Sequence, residues 1–204
     1  GVSSAASDVY KRQDNLYAPP QADLVAPSPE AAQQPFYVVS KAKFLTLYIL
    51  TFGIYQVYWA YKNWHQFRHA SGQELWPVAR AFFAIFFTHA LYREADATLK
   101  RDGRSHDWRP GELATLFVVG VIINNVVDAL SRKNIGYPVT DIASLALLPV
   151  LAWITWLGQR GLNAAAKDPE GRSNARFTPL NYVFIVLGAV LLALACIGVM
   201  LPPE

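Results

Sequence analysis

The chain has 204 residues, of which 53% are hydrophobic, 13% aromatic and only 16% charged, with a formal net charge of +3. Soluble domains carry about 25% charged residues, so the shortfall points to a bilayer rather than water as the solvent. With no soluble face on which to cluster its basic residues, the chain is not read as a nucleic-acid-binding protein. The single cysteine, Cys196, excludes an internal disulfide and a thiolate metal cluster.

Residues 1–35 read as a disordered N-terminal tail, and Gly1 to Gln13 are expected to be non-native. From Asp14 to Pro35 there are five prolines among Gln, Ala, Ser and Glu, a composition that buries too little apolar surface to offset the entropy of ordering. Residues 36–204 read as a helical membrane domain. The first apolar stretch, Phe44 to Tyr61, is 18 residues without a charge, close to the ~20 needed to cross a hydrocarbon core. Its end is crowded with aromatic rings: Tyr55, Tyr58, Trp59, Tyr61 and Trp64 are expected to anchor it at the headgroup level. The helix is expected to continue past the bilayer through Arg68, stop at Gly72, and restart at Trp76-Pro77.

Between Arg80 and Arg93 lie twelve uncharged residues, which snorkelling arginines extend to a second span at 76–92. The alternative is an interfacial or re-entrant helix at 77–92. A basic loop follows, in which Lys100, Arg101, Arg104 and Arg109 are candidate contacts for anionic headgroups. Three clearer spans come next: 113–130, 139–157 with Pro149 expected to kink it, and 180–201 with no charge at all. The expected fold is therefore all-α, an integral membrane bundle of five transmembrane helices, or four with one interfacial or re-entrant segment. For five spans, Lys and Arg divide thirteen against five, which places the N-terminus in the cytoplasm. If 76–92 does not cross, the split is twelve against six and the orientation reverses.

Thr51-Phe52-Gly53-Ile54-Tyr55-Gln56-Val57-Tyr58-Trp59-Ala60-Tyr61-Lys62 resembles the Thr-x-Gly-(Ile/Leu)-Tyr-x-x-Tyr-Trp-x-Tyr-Lys signature of a family of small bacterial membrane proteins of unknown function. The similarity extends over about Phe36 to Trp64. It implies an integral protein of the bacterial inner membrane and no assigned activity. Read from the residues alone, Gly53 allows a neighbouring helix to come close.

Four polar residues fall at expected membrane depth: Arg80 and His89 in the second span, Asn124 and Asp128 in the third. Such groups are costly in lipid and face a bundle interior or a water-filled cavity. Imidazole titrates between about pH 5 and 8, so His89 is a candidate for handling protons. Asn124 and Asp128 are spaced i, i+4 and share a helix face, and Asp128 is expected to pair with Arg132. The plainer reading makes these residues interhelical glue. His65 and His69 also have i, i+4 spacing, but sit beside Lys62 and Arg68 and read as a wet helix end rather than a metal site. Ser144 and Thr88 with His89 carry no hydrolase motif.

The expected function is accordingly structural, regulatory or assembly-related, without catalysis, cofactor or metal. The alternative is a small transporter or channel subunit with a polar path through the second and third spans. Expected partners are the bilayer, its anionic headgroups, and a membrane-protein partner or second copy.

Overall fold

The computed structural model describes residues 34–200. Nearly all of the expected N-terminal tail lies outside the described residues, as does Leu201 at the end of the last apolar run. Among the described residues the elements are α1 (Lys41–Leu50), α2 (Tyr55–Ser71), α3 (Pro77–Phe82), α4 (Ala84–Arg101), α5 (Pro110–Ser131), α6 (Val139–Ala165), a 3-10 turn (Arg172–Asn174) and α7 (Pro179–Met200). The protein is all-α over this range, as expected. Three helices, α5, α6 and α7, are long and apolar enough to cross a membrane. At 1.5 Å per residue, the 22 residues of α5 or of α7 extend about 33 Å. Pro149 does not interrupt α6, which runs through it for 27 residues.

The other two expected spans are interrupted helices. Within 44–61 the chain leaves helical geometry from Thr51 to Ile54, with positive φ at Phe52 (51°) and Gly53 (80°). Local chemistry drives this break. The Thr51 hydroxyl donates to the Leu47 carbonyl at 2.7 Å, beside the backbone bond that Thr51 N–H makes to it, and accepts the Tyr55 N–H at 2.9 Å in place of a helical carbonyl. The Gly53 N–H reaches back to the Tyr48 carbonyl at 2.9 Å, and glycine takes the left-handed conformation without a Cβ penalty. Gly53 thus serves the turn; a Cβ there would meet only the Tyr48 ring, at 3.8 Å, so it is not the close helix approach expected from sequence.

After the turn, α2 returns alongside α1. The Phe44 ring lies 5.8 Å from that of Tyr55 and 6.2 Å from that of Trp59, while Phe36, upstream, stacks on Phe67 at 5.6 Å. Gly72 (φ 68°) then ends α2, and Pro77 opens α3, both where the sequence places them. Within 76–92 the helix breaks again at Phe83 (φ −98°, ψ 37°), separating α3 from α4.

The core lies where α1, α2, α4 and α6 converge on an extended arm, Phe36 to Val39, whose four residues are all buried. This arm is held by amide side chains rather than by a sheet. Asn63 accepts the Tyr37 N–H at 3.1 Å, and Asn163 both accepts from Val39 N–H (3.2 Å) and donates to its carbonyl (2.9 Å). Gln159 donates to the Tyr37 carbonyl at 2.7 Å and accepts from the Trp59 indole N–H. Every polar group in this list is thereby paired away from water.

By contrast, α5 buries only Ala114 and Phe117, and α7 only Gly188. Their Val, Ile and Leu side chains face outward, a surface suited to lipid. Gly188, near the middle of α7, sits directly on the Leu50 carbonyl at the end of α1. The hairpin tip therefore lies halfway along a helix long and apolar enough to cross a membrane.

Candidate functional site: a cavity at the two helix breaks

A cavity of about 450 Å³ lies where both interruptions meet the middle of the long apolar helices α5 and α6. Phe52, Gly53 and Gln56 line it from the first break, Phe82 and Ala84 from the second, Asn124 and Asn125 from α5, and Leu148 and Leu151 from α6. Gln56 is buried, at 9% exposure, yet neither its amide nitrogen nor its oxygen has a partner among the described residues. An unpaired buried amide costs about 1–3 kcal/mol, so this side chain is poised for something else to satisfy it.

The amides of α5 are differently placed. Asn125 donates to the Val121 carbonyl at 2.8 Å, one turn back on its own helix. Asn124 donates to Asp128 Oδ2 at 2.8 Å, and the Ser144 hydroxyl of α6 donates to the other carboxylate oxygen. Closer to the α5–α6 turn, Ser131 donates to Asp141 Oδ1 at 2.8 Å, while Asp141 Oδ2 is buried without a partner. Polar groups thus line the α5–α6 seam from the turn at 132–138 to the cavity. The expected Asp128–Arg132 ion pair is not formed. The carboxylate is taken up by a hydroxyl and an amide, and among the described residues it contacts no cation.

The four residues singled out from sequence do not form one group. Asn124 and Asp128 are joined, as their spacing implies. The Arg80 guanidinium carbon instead lies 4.2 Å from the Trp64 ring centroid and 5.2 Å from that of Phe87, a cation–π contact between α3, α2 and α4. His89 reaches Thr115 of α5 at 3.1 Å and is exposed. Neither Arg80 nor His89 lines the cavity.

Of the expected aromatic anchors, Tyr55, Trp59 and Trp64 are core residues at 6%, 0% and 1% exposure. Their rings pack on Phe44, Phe67 and Phe87 instead of reaching headgroups, because the hairpin folds them against α1 and the arm. Tyr58 and Tyr61 remain partly exposed.

The basic loop divides similarly. Lys100 pairs with Asp96 at 2.7 Å and Arg109 with Glu112 at 3.2 Å, on the surface. Arg101 reaches Thr98 at 3.4 Å. Arg104 closes the C-terminus of α6, donating to the carbonyls of Ala164 and Ala165, where a cation also meets the negative end of the helix dipole. It donates to Asp102 too, at 2.7 Å, and that contact holds the Asp102 carboxyl below the usual carboxylate range. The His65 and His69 rings stand 4.6 Å apart, but no group of three or more potential ligands gathers among the described residues.

Sequence reasoning missed Gln56 and the Ser131–Asp141 pair, and weighed Ser144 only as a hydrolase nucleophile, not as the partner of Asp128. A signal for Gln56 existed: it is the one amide in the charge-free stretch Phe44 to Tyr61, and a polar residue at expected membrane depth is a site hypothesis in its own right. Fold and site together define a helical protein with three helices of membrane-crossing length and a mid-depth cavity at two helix interruptions. No family model, curated protein or solved structure matches the chain.

Proposed function

We propose that this chain is a multi-pass protein of the bacterial inner membrane that binds a small solute in the mid-depth cavity, acting as a small transporter or channel subunit and not as an enzyme. The observation that carries this reading is the unpartnered, buried Gln56 in a cavity bordered by two interrupted helices. At membrane depth, non-helical backbone occurs where protein buries it or where it lines a water-filled cavity, and discontinuous helices commonly build solute sites near the bilayer midplane.

In this reading α5, α6 and α7 cross, and the α1–α2 hairpin is re-entrant. The α5–α6 turn carries Arg132 and Lys133, whereas Arg101, Arg104, Arg109, Arg160 and Lys167 gather at the opposite ends of these helices. The positive-inside bias then puts the N-terminus in the cytoplasm and the end of α7 outside. Three crossings and the five expected from sequence give this same orientation. A second reading, as an assembly or regulatory protein, is favoured by the apolar surface around the second break, where Phe82 and Phe86 are 72% and 74% exposed and would meet a membrane-protein partner or a second copy.

Cysteine accessibility tests the choice. In a Cys196→Ser background, Gln56→Cys and Asn124→Cys are expected to react with a membrane-impermeant methanethiosulfonate applied from the side of the α5–α6 turn. Labelling by a lipid-soluble maleimide alone would mean a cavity filled by lipid or a partner, and would favour assembly. Reporters fused after Glu204 and at Gly103 check the orientation, with opposite sides expected.

A further inference from the structure

Resting on the solute-binding reading, the ligand's chemistry follows from what surrounds the cavity. We propose that the cavity takes a small organic ammonium, a protonated amine carrying an apolar body the size of a phenyl ring.

The walls are largely hydrocarbon: Phe52, Val57, Phe82, Phe117, Leu148 and Leu151. Its volume of about 450 Å³ lies within the ~300–1,000 Å³ usual for small-molecule sites. The polar groups in it favour a hydrogen-bond donor. Asn124 and Asn125 each commit an N–H, to Asp128 and to the Val121 carbonyl, so that the amide oxygen is the acceptor each can offer a ligand. The Gln56 oxygen is free, with its nitrogen beside it.

Charge points the same way. Among the described residues no Lys or Arg lines the cavity. The nearest charge along the hydrogen-bond chain is the Asp128 carboxylate, one bond behind Asn124 and paired only with neutral donors. A carboxylate at membrane depth without a cation is costly, and an ammonium lodged against Asn124 supplies the missing countercharge. An anion would meet that carboxylate with no compensating positive group. An alkyl chain would fill the walls but leave the Gln56 amide unpaired. Aromatic faces at Phe52, Phe82 and Phe117 add attraction for a cation that a neutral ligand lacks.

The test uses the full chain in nanodiscs of phosphatidylcholine and phosphatidylglycerol, so that no primary amine comes from lipid. Three probes of one shape are compared by calorimetry: 2-phenylethylammonium, 2-phenylethanol and phenylacetate. The ammonium is expected to bind at least about tenfold more tightly than the alcohol, a modest effect for a charge shielded by one intervening amide. Phenylacetate is expected not to bind. Asp128→Asn is expected to erase the preference for ammonium over alcohol, and Gln56→Leu to weaken the binding of both.

Equal binding of ammonium and alcohol overturns the proposal, as does a preference that survives Asp128→Asn, or failure of all three probes to bind. The comparison on the unaltered chain decides the matter if Asp128→Asn does not fold. The two readings fail separately. Alcohol binding as well as ammonium in a cavity where Gln56→Cys is water-accessible removes the ammonium and keeps the solute site, whereas no binding and no labelling removes both.

Discussion

Replacing Gln159 by leucine keeps much of its volume and removes three hydrogen bonds from the core. Its Nε2 donates to the Tyr37 carbonyl at 2.7 Å and to Asn163 Oδ1 at 2.6 Å, and its Oε1 accepts the Trp59 indole N–H. Gln159 and Trp59 are both fully buried, so water does not reach the groups left behind. The orphaned indole N–H and Tyr37 carbonyl each cost about 1–3 kcal/mol. Asn163 still holds Val39 through two bonds and loses little. The expected total is about 2–5 kcal/mol, a large part of the roughly 5–15 kcal/mol that stabilises a typical domain. Trp59→Phe alone leaves the Gln159 oxygen unpaired and costs about 1–3 kcal/mol plus lost packing. In the double variant both members of the indole–amide pair are gone, so the combined cost falls short of the sum by about 1–2 kcal/mol. Reversible unfolding in mixed micelles, followed by far-UV circular dichroism, measures all four corners of the cycle. A Gln159→Leu cost below about 0.5 kcal/mol, or additivity within about 0.5 kcal/mol, would refute the amide clamp on the Phe36–Val39 arm.

Gly188→Ala places a methyl group on the Leu50 carbonyl, a backbone atom that moves only with α1, so a loss of about 1–3 kcal/mol is expected. Gly198→Ala, with nothing within 4 Å, is the neutral control on the same helix, and equal melting temperatures for the two variants would argue against α1 docking on α7. The Asp168 carboxylate gives a pH prediction. Burial pushes its pKa up, but the backbone N–H groups of Ser173 (2.8 Å) and Arg172 (3.0 Å) outweigh burial and hold it below the ordinary carboxylate range. Its folded value lies under its unfolded one, so it stabilises the loop at neutral pH, and this stabilisation is lost as pH falls from about 4 through the lowered value. Amide exchange at Arg172 and Ser173, corrected for intrinsic rates, should show protection at pH 7 that fades at pH 3, and Asp168→Asn should flatten the profile; protection unchanged with pH would refute it.

What the sequence made legible was local. The long charge-free runs in α5, α6 and α7 need no partner to be recognised, and neither do the stop at Gly72 and the restart at Pro77. The Asn124–Asp128 contact follows from i, i+4 spacing on one helix. What stayed hidden depends on distant partners. Trp59 looks like a headgroup anchor until Gln159, a hundred residues on, is found at its indole nitrogen. Asn163 looks like a loop residue until it pairs with Val39. Arg104 looks free for phosphate until it closes α6. Length alone counted Phe44 to Tyr61 as one crossing, because a turn made by one hydroxyl and one glycine leaves hydropathy almost unchanged.

That turn also links the Thr51–Lys62 stretch to the cavity. Thr51 bridges the two helices, Gly53 takes the positive φ, and Tyr55 and Trp59 face Phe44 across the hairpin. Each is a requirement of reversing the chain at this turn, and none is needed for one continuous helix. A continuous helix over these residues would satisfy its own backbone and carry Tyr55 and Trp59 away from Phe44 and the arm. The residue pattern that looks like an interface anchor therefore encodes a reversal, and the reversal sets Gln56 beside the α5 amides. The stability of the hairpin and the position of the candidate site rest on the same few side chains, so a substitution that straightens the helix is expected to abolish both together.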